Sequence, residues 1–273
     1  MRIAIISDTH LAAQAADFRQ NLREAVAWIA AAGVDLVIHL GDVTANGVIH
    51  AAQFAAAAAA LGELGAPLLA VPGNHDIGEP GGGHEPPFSP ERLKHFRAAF
   101  GADRWMRDCG AWTLIGVNAQ LLGTGADAEA EQLDWLRRTA RSARGPVALF
   151  LHKPWFDTGP TDPSFPTARY VPAPSRAAMS EALAGVDLRL VASGHVHQFR
   201  RRIIDGVEHA WIGSTAFVIP ERWQATIGRK ETGVALLTLE GDSFSLEDAR
   251  PARMRDLDLA DYADVYPELL GRD

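Results

Sequence analysis

The chain has 273 residues, 47% hydrophobic and 22% charged, enough to bury one large core or two small ones. Lys plus Arg number 26 against 34 Asp plus Glu, a formal net charge of −8. That acidic balance argues against broad nucleic-acid or membrane-surface binding, and the single cysteine, Cys109, excludes an internal disulfide.

Residues 2–7 read as a buried strand that begins directly, without the basic start and cleavage site of a secretion leader, and no uncharged run approaches a membrane span. A cytoplasmic protein is therefore expected. Residues 17–32 form an amphipathic helix with Phe18, Leu22, Val26 and Ile29 at helical spacing. A strand from Val34 to Leu40, an alanine-rich helix over 48–64 and a strand from Pro67 to Val71 follow. This alternation predicts parallel strands with right-handed crossovers.

Residues 77–90 are dense in Gly and Pro and read as a loop. A helix near 90–100, a strand from Trp112 to Val117, a helix over 129–143 and a buried strand from Val147 to Leu151 come next. The Pro-, Gly- and Ser-rich stretch 154–174 reads as a long functional loop. A helix near 175–184 leads to a strand from Leu188 to Ala192. Four strands then follow, Phe199–Ile204, Val207–Ile212, Gly233–Leu239 and Phe244–Glu247, with hairpin turns at Asp205-Gly206 and Gly241-Asp242. The expected architecture is α/β, two mixed sheets packed face to face with helices outside, in one domain over 1–250. A charged tail, 251–273, docks or serves as an interface arm, and a homodimer is left open.

Five polar motifs punctuate this apolar framework, most of them just after a predicted strand: Asp8-Thr9-His10, Gly41-Asp42, Gly73-Asn74-His75-Asp76, His152, and Gly194-His195-Val196-His197. Each has an ordinary account by itself: a helix cap, a turn, a hydrogen-bonded histidine. In order, at successive strand ends, they supply enough carboxylate, amide and imidazole donors for two adjacent borderline divalent ions such as Mn, Fe or Zn. Two such ions side by side suit hydrolysis of phosphate esters.

This ordered set resembles the calcineurin-like metallophosphoesterase superfamily, over residues 1 to about 240, and the strings around Asp8 and Asn74 are most similar to its bacterial class III cyclic nucleotide phosphodiesterases. The resemblance implies a four-layer α/β/β/α sandwich. It implies one metal on Asp8, His10 and His197, another on Asn74, His152 and His195, and Asp42 bridging. His75 would meet substrate. Many relatives carry an acidic residue three positions after the bridging Asp to orient that histidine; here the position is Ala45, leaving Asp76 or Asn46 as substitutes. His152-Lys153 also departs from a paired-histidine pattern common in the class III group.

The expected function is hydrolysis of small phosphodiesters or nucleotides, cyclic AMP being one candidate, by a metal-bridging hydroxide. Asn74 would steady the phosphoryl oxygens and His75 would protonate the leaving oxygen. A phosphomonoesterase or nucleotide pyrophosphatase on the same site is the alternative, and a non-catalytic scaffold ranks below both. His84, Lys153 and Arg169 are candidates for a second phosphate, with a solvated role favoured for each. Phe88, Trp155, Phe156 and Tyr170 either stack on a base or pack their loops. His39, His50, His95 and His209 receive no role. Arg200-Arg201-Arg202 reads as an exposed edge in preference to a phosphate clamp.

Overall fold

The computed structural model describes residues 1–82, 85–159, 161 and 169–269. Two mixed sheets pack face to face between two layers of helices, the four-layer sandwich expected. The first sheet has the order β11-β10-β1-β2-β3, from β1 (Arg2–Ile6), β2 (Leu36–His39), β3 (Leu68–Ala70), β10 (Val234–Glu240) and β11 (Ser243–Ala249). The second runs β4-β5-β6-β7-β9-β8, from β4 (Trp105–Cys109), β5 (Trp112–Val117), β6 (Val147–Leu151), β7 (Leu188–Ser193), β8 (Arg200–Ile204) and β9 (Val207–Trp211). β1, β2 and β3 are parallel, as are β5, β6, β7 and β9; the remaining pairs are antiparallel.

Strand alternation sorts side chains between layers. Ile3 and Ile5 of β1 join Phe150 of β6 and Leu190 of β7 in the core between the sheets. Their neighbours Ala4 and Ile6 face outward, against Leu22, Ala25 and Ile29 of α1 (Ala16–Ala32) and Phe54 and Leu61 of α2 (Ala52–Leu61). On the other side Val147, Leu149 and Leu151 meet Leu136 of α5 (Asp127–Ser142) and Met179 of α6 (Ala173–Ala182). A short helix α3 (Asn74–Ile77) follows β3, and α4 (Pro90–Phe100) begins with Ser89 accepting a hydrogen bond from Glu91 N, with Pro90 in the first turn.

The structure differs from the expected elements in two ways. Trp105–Cys109 is a strand, the edge partner of β5, although its interior residues are exposed and give no apolar run. The four C-terminal strands do not make one meander: β8 and β9 extend the second sheet, whereas β10 and β11 cross back and pair with β1 in the first. The crossing chain, 212–233, thereby passes the strand ends where the motifs lie. Residues 251–269 are docked, with Leu257, Val265, Tyr266 and Leu269 buried against Phe18 and Phe217. No helix among the described residues is long and apolar enough to cross a membrane.

The arginine run lies on the edge strand β8, as read. Arg200 and Arg202 pair with Asp157, and Arg201 with Glu208 on the opposite face. All three are committed to carboxylates of this chain, which leaves no phosphate clamp.

Candidate metal centre

The five motifs converge. The loops after β1 and β2 are tied together by Asp8 N to Gly41 O at 3.0 Å, His10 N to Asp42 O at 3.0 Å and Leu11 N to Val43 O at 2.9 Å. Gly194 N donates to His152 O at 2.9 Å, joining the loops after β6 and β7. Two glycines permit this closeness: a Cβ on Gly73 would strike the Asp42 carboxylate, and one on Gly194 would strike Ser7 Oγ and the Asp8 carboxylate. Among the described residues six non-glycines have positive φ, and five of them are Asp8 (53°), His10 (44°), Asp42 (52°), His195 (68°) and His197 (51°). Each costs on the order of 1–2 kcal/mol, and strain gathered at one spot marks a site that the surrounding fold holds in place.

Two donor groups share one carboxylate. Asp8, His10 and His197 form the first, Asp42, His152 and His195 the second. Asp42 Oδ2 stands between them, 3.9 Å from His10 Nε2 and 3.2 Å from His152 Nε2. Asn74 Oδ1 joins the second group, 3.0 Å from His152 Nε2. His10, Asp42 and His75 make a third triad, although His75 Nδ1 is already held elsewhere.

The protons on these rings show that the donors fit cations. His197 Nδ1 donates to Phe217 O at 3.0 Å and His152 Nδ1 to Leu40 O at 2.8 Å. Each ring thus turns its Nε2 inward, and in the neutral form that nitrogen offers a lone pair. There it meets another acceptor: His197 Nε2 is 3.3 Å from Asp8 Oδ1, and His152 Nε2 is 3.2 Å from Asp42 Oδ2. Asp8 Oδ1 is buried without a hydrogen-bond partner. In that form acceptors pack against acceptors away from water, a cost relieved by protons, which burial opposes but Asp42 favours on His152, or by bound cations.

Electrostatics agree. Burial holds His10 and His195 well below the usual imidazole range, with the neighbouring rings of His75 and His152 adding to it, so both are neutral donors. Burial would raise Asp8 and Asp42, but His197 beside the first and His152 beside the second keep both below the usual carboxylate range. Around this centre, Tyr266 Oη lies 2.8 Å from His10 Nδ1.

His75 is placed by residues that spacing did not point to. Its Nδ1 lies 2.8 Å from Ala45 O and 3.1 Å from Glu85 Oε1. Burial alone would depress its pKa, but Glu85, Asp42, the Ala45 carbonyl and Asp76 raise it to about 9. Neither suggested substitute touches that ring nitrogen. Asp76 instead accepts from Val43 N, Thr44 N, Thr44 Oγ1 and Gly73 N, clasping the loops after β2 and β3. Asn46 Nδ2 donates to Val265 O. Glu85 comes from the Gly- and Pro-rich loop, where no periodicity singles it out.

The other candidates sort clearly. Lys153 is buried, its Nζ 3.1 Å from Glu79 Oε2, and Glu79 Oε1 accepts from Glu85 N at 3.1 Å. Lys153 is thus a strut for the loop that carries Glu85. Arg169 lines the cavity beside the metal cluster; His84 lies outside the described residues. Trp155, Phe156 and Tyr170 are buried and Phe88 packs against the outer core, so all four are packing residues. His39 is satisfied in place, its Nδ1 accepting from Gly41 N and its Nε2 facing Thr9 Oγ1 at 3.0 Å. Loop 77–90 contributes Glu79 and Glu85 to the cavity, but much of the wall comes from 217–224 and 259–269, which the sequence did not place at the pocket.

A two-sheet sandwich whose strand-end loops gather this donor set has the form of a metallophosphoesterase. The chain belongs to the calcineurin-like phosphoesterase family, whose sequence pattern matches residues 1–199. Members of that family hold a dinuclear metal centre. In fold the chain is similar to a dimetal phosphatase from Danio rerio, with 16% identity, a TM-score of 0.66 and coverage of 91% of this chain and 95% of that one. It is also similar to the purple acid phosphatase PPD1 from yellow lupin, with 16% identity, a TM-score of 0.70 and 94% of this chain covered. This chain spans 52% of the lupin protein. GAP50, the anchor in the inner membrane complex of Plasmodium, matches at 11% identity and a TM-score of 0.65 over 93% of this chain and 86% of that one. No curated protein matches in sequence.

Proposed function

We propose that this protein hydrolyses small phosphodiesters at a two-metal centre built from Asp8, His10, Asp42, Asn74, His152, His195 and His197. The observation that carries the reading is Asp42 Oδ2, set between His10 Nε2 and His152 Nε2 so that one carboxylate joins two donor groups. When bound, a metal pair polarises a phosphoryl oxygen and lowers the pKa of water. The Mn, Fe and Zn ions all suit this mixed nitrogen and oxygen set.

The chain's own residues do the rest. Asn74 turns Oδ1 toward His152, leaving its Nδ2 protons for a phosphoryl oxygen. His75 gives Nδ1–H to Ala45 O and Glu85, so Nε2 is the atom that hands a proton to the leaving oxygen. Glu79 and Glu85 add two carboxylates to Asp42 on the cavity wall, and Arg169 is the one Lys or Arg among its described lining residues. That lining favours a singly charged diester over a doubly charged monoester. Cyclic nucleotides are one candidate among diesters. A scaffold role, such as the name of GAP50 suggests for that protein, does not require a full donor set, and this chain keeps one.

The test uses metal-stripped protein reloaded with Mn, Fe or Zn. Bis-p-nitrophenyl phosphate is expected to turn over faster than p-nitrophenyl phosphate. The reverse preference would replace the diester reading with the monoester one. No turnover of either, with two metals bound per chain, would reject both.

A further inference from the structure

The cavity beside the donor cluster has two unlike halves. One half is the cluster with His75, Glu79 and Glu85; the other is apolar, built from Phe217, Ile219, Trp223, Leu259, Tyr266 and Leu269. The two halves touch. The Phe217 ring lies 4.7 Å from that of His10 and 4.6 Å from that of His197, and Tyr266 lies 5.6 Å from His75. The whole cavity is about 260 Å³.

None of the apolar residues belongs to the strand-end motifs. They come from the chain that crosses between the sheets and from the docked C-terminal segment, both held in place by packing. Val218 N donates to Leu257 O at 2.8 Å and Leu259 N to Val218 O at 3.0 Å, so the two segments pair backbone to backbone along the wall. The wall is a built surface, standing against the side of the cluster formed by His10 and His197.

We infer that this wall is a binding subsite for the organic group of the ester, and that the substrate is a phosphoester carrying a compact aryl or alkyl group. The inference rests on the phosphoesterase reading and extends it. A phosphoryl group at the cluster leaves its substituent within reach of Phe217 and Tyr266, where apolar surface is removed from water on both partners. A second phosphate meets Glu79 and Glu85 across the cavity, and Arg169 is its one cationic partner among the described lining residues. Polyphosphate and long nucleic-acid substrates are therefore disfavoured by charge and by volume.

Calorimetric binding of two non-hydrolysable phosphonates to the Mn-loaded full chain tests this. Phenylphosphonate and methylphosphonate share the head group and differ in the apolar part. Phenylphosphonate is expected to bind at least about tenfold more tightly, the equivalent of ~55 Å² of apolar surface at the usual coefficient. In the double variant Ile219→Ser, Leu259→Ser that ratio is expected to fall to within about threefold of unity, with two metals still bound. Both positions are only half-buried, which favours folding of the variant, and the wild-type ratio decides the matter even if it does not fold. Equal binding of the two phosphonates by the wild type overturns the subsite and leaves the phosphoesterase reading standing. Failure of both to bind, with no ester hydrolysed, overturns the phosphoesterase reading and the subsite with it.

Discussion

At the scale of single residues, the proposed catalysis turns on where one proton sits. His75 Nδ1 is fixed by Ala45 O and Glu85, which leaves Nε2 to act. Replacing His75 with Ala is expected to cut kcat by about 10²–10⁴ with both metals bound. Glu85→Gln keeps the shape and removes the charge, so a smaller loss in the same direction follows. The pH profile carries the sign. Burial is the largest influence and opposes protonation, but Glu85, Asp42, the Ala45 carbonyl and Asp76 together outweigh it and bring His75 to about 9, above the ordinary 6.5. The acid form therefore persists at lower pH and is lost as pH rises through about 9, and activity falls with it. Glu85→Gln should move that alkaline limb to lower pH; an unmoved limb would show that Glu85 does not set the state of His75.

Glu85 was invisible in the sequence for a physical reason. It lies in a loop without periodicity, forty-three positions past Asp42, and it is brought back by the strut from Lys153 through Glu79 and by backbone bonds from Glu79 to Pro86 and Phe88. The position three after Asp42, where spacing pointed, holds Ala45, whose side chain has no proton to place. Its backbone carbonyl contributes instead, a group every residue carries and no pattern can flag.

At the scale of elements, the two sheets are pinned by β4, a strand that composition did not reveal. Trp105 of β4 lies against Phe150 with ring centroids 5.8 Å apart and donates Nε1–H to Ala70 O at 2.9 Å, across the sandwich at the end of β3. Gly116 on β5 makes the room, since a Cβ there would strike the indole. Trp105→Phe deletes the donor and leaves a buried carbonyl short of a partner. It is expected to cost about 1–3 kcal/mol in urea unfolding. A change within error would show that the cross-sheet bond contributes nothing net. The edge strand β8 shows the opposite case: its three arginines alternate between two faces as any strand must, so that split was legible from spacing alone, though their partners Asp157 and Glu208 were not.

At the scale of the whole molecule, the donor cluster is a cost that the fold carries until cations arrive. Positive φ at five site residues and a partnerless Asp8 Oδ1 oppose folding of the metal-free chain. Manganese should therefore raise the melting temperature of stripped protein, by the equivalent of about 2.7 kcal/mol at a hundredfold excess over Kd for one site. Asp42→Asn, which weakens both donor groups at once, should abolish most of that rise. A stripped protein whose melting temperature ignores manganese, zinc and iron would refute the cluster as a metal centre.

What the amino-acid order alone determined was the framework and the donors. Strand and helix periods are local properties of the chain, and ligand motifs sit at strand ends because parallel strands deliver their C-terminal loops to one edge. What only the tertiary structure decided was everything brought there by packing from far away: Glu85 against His75, Tyr266 against His10, and the apolar wall from 217–224 and 259–269. Such contacts depend on how loops and the segment 254–269 close over the sheets. That closure is set by burial of Leu257, Val265 and Tyr266 against Phe18 and Phe217, a sum of non-directional contacts that leaves no period in the chain.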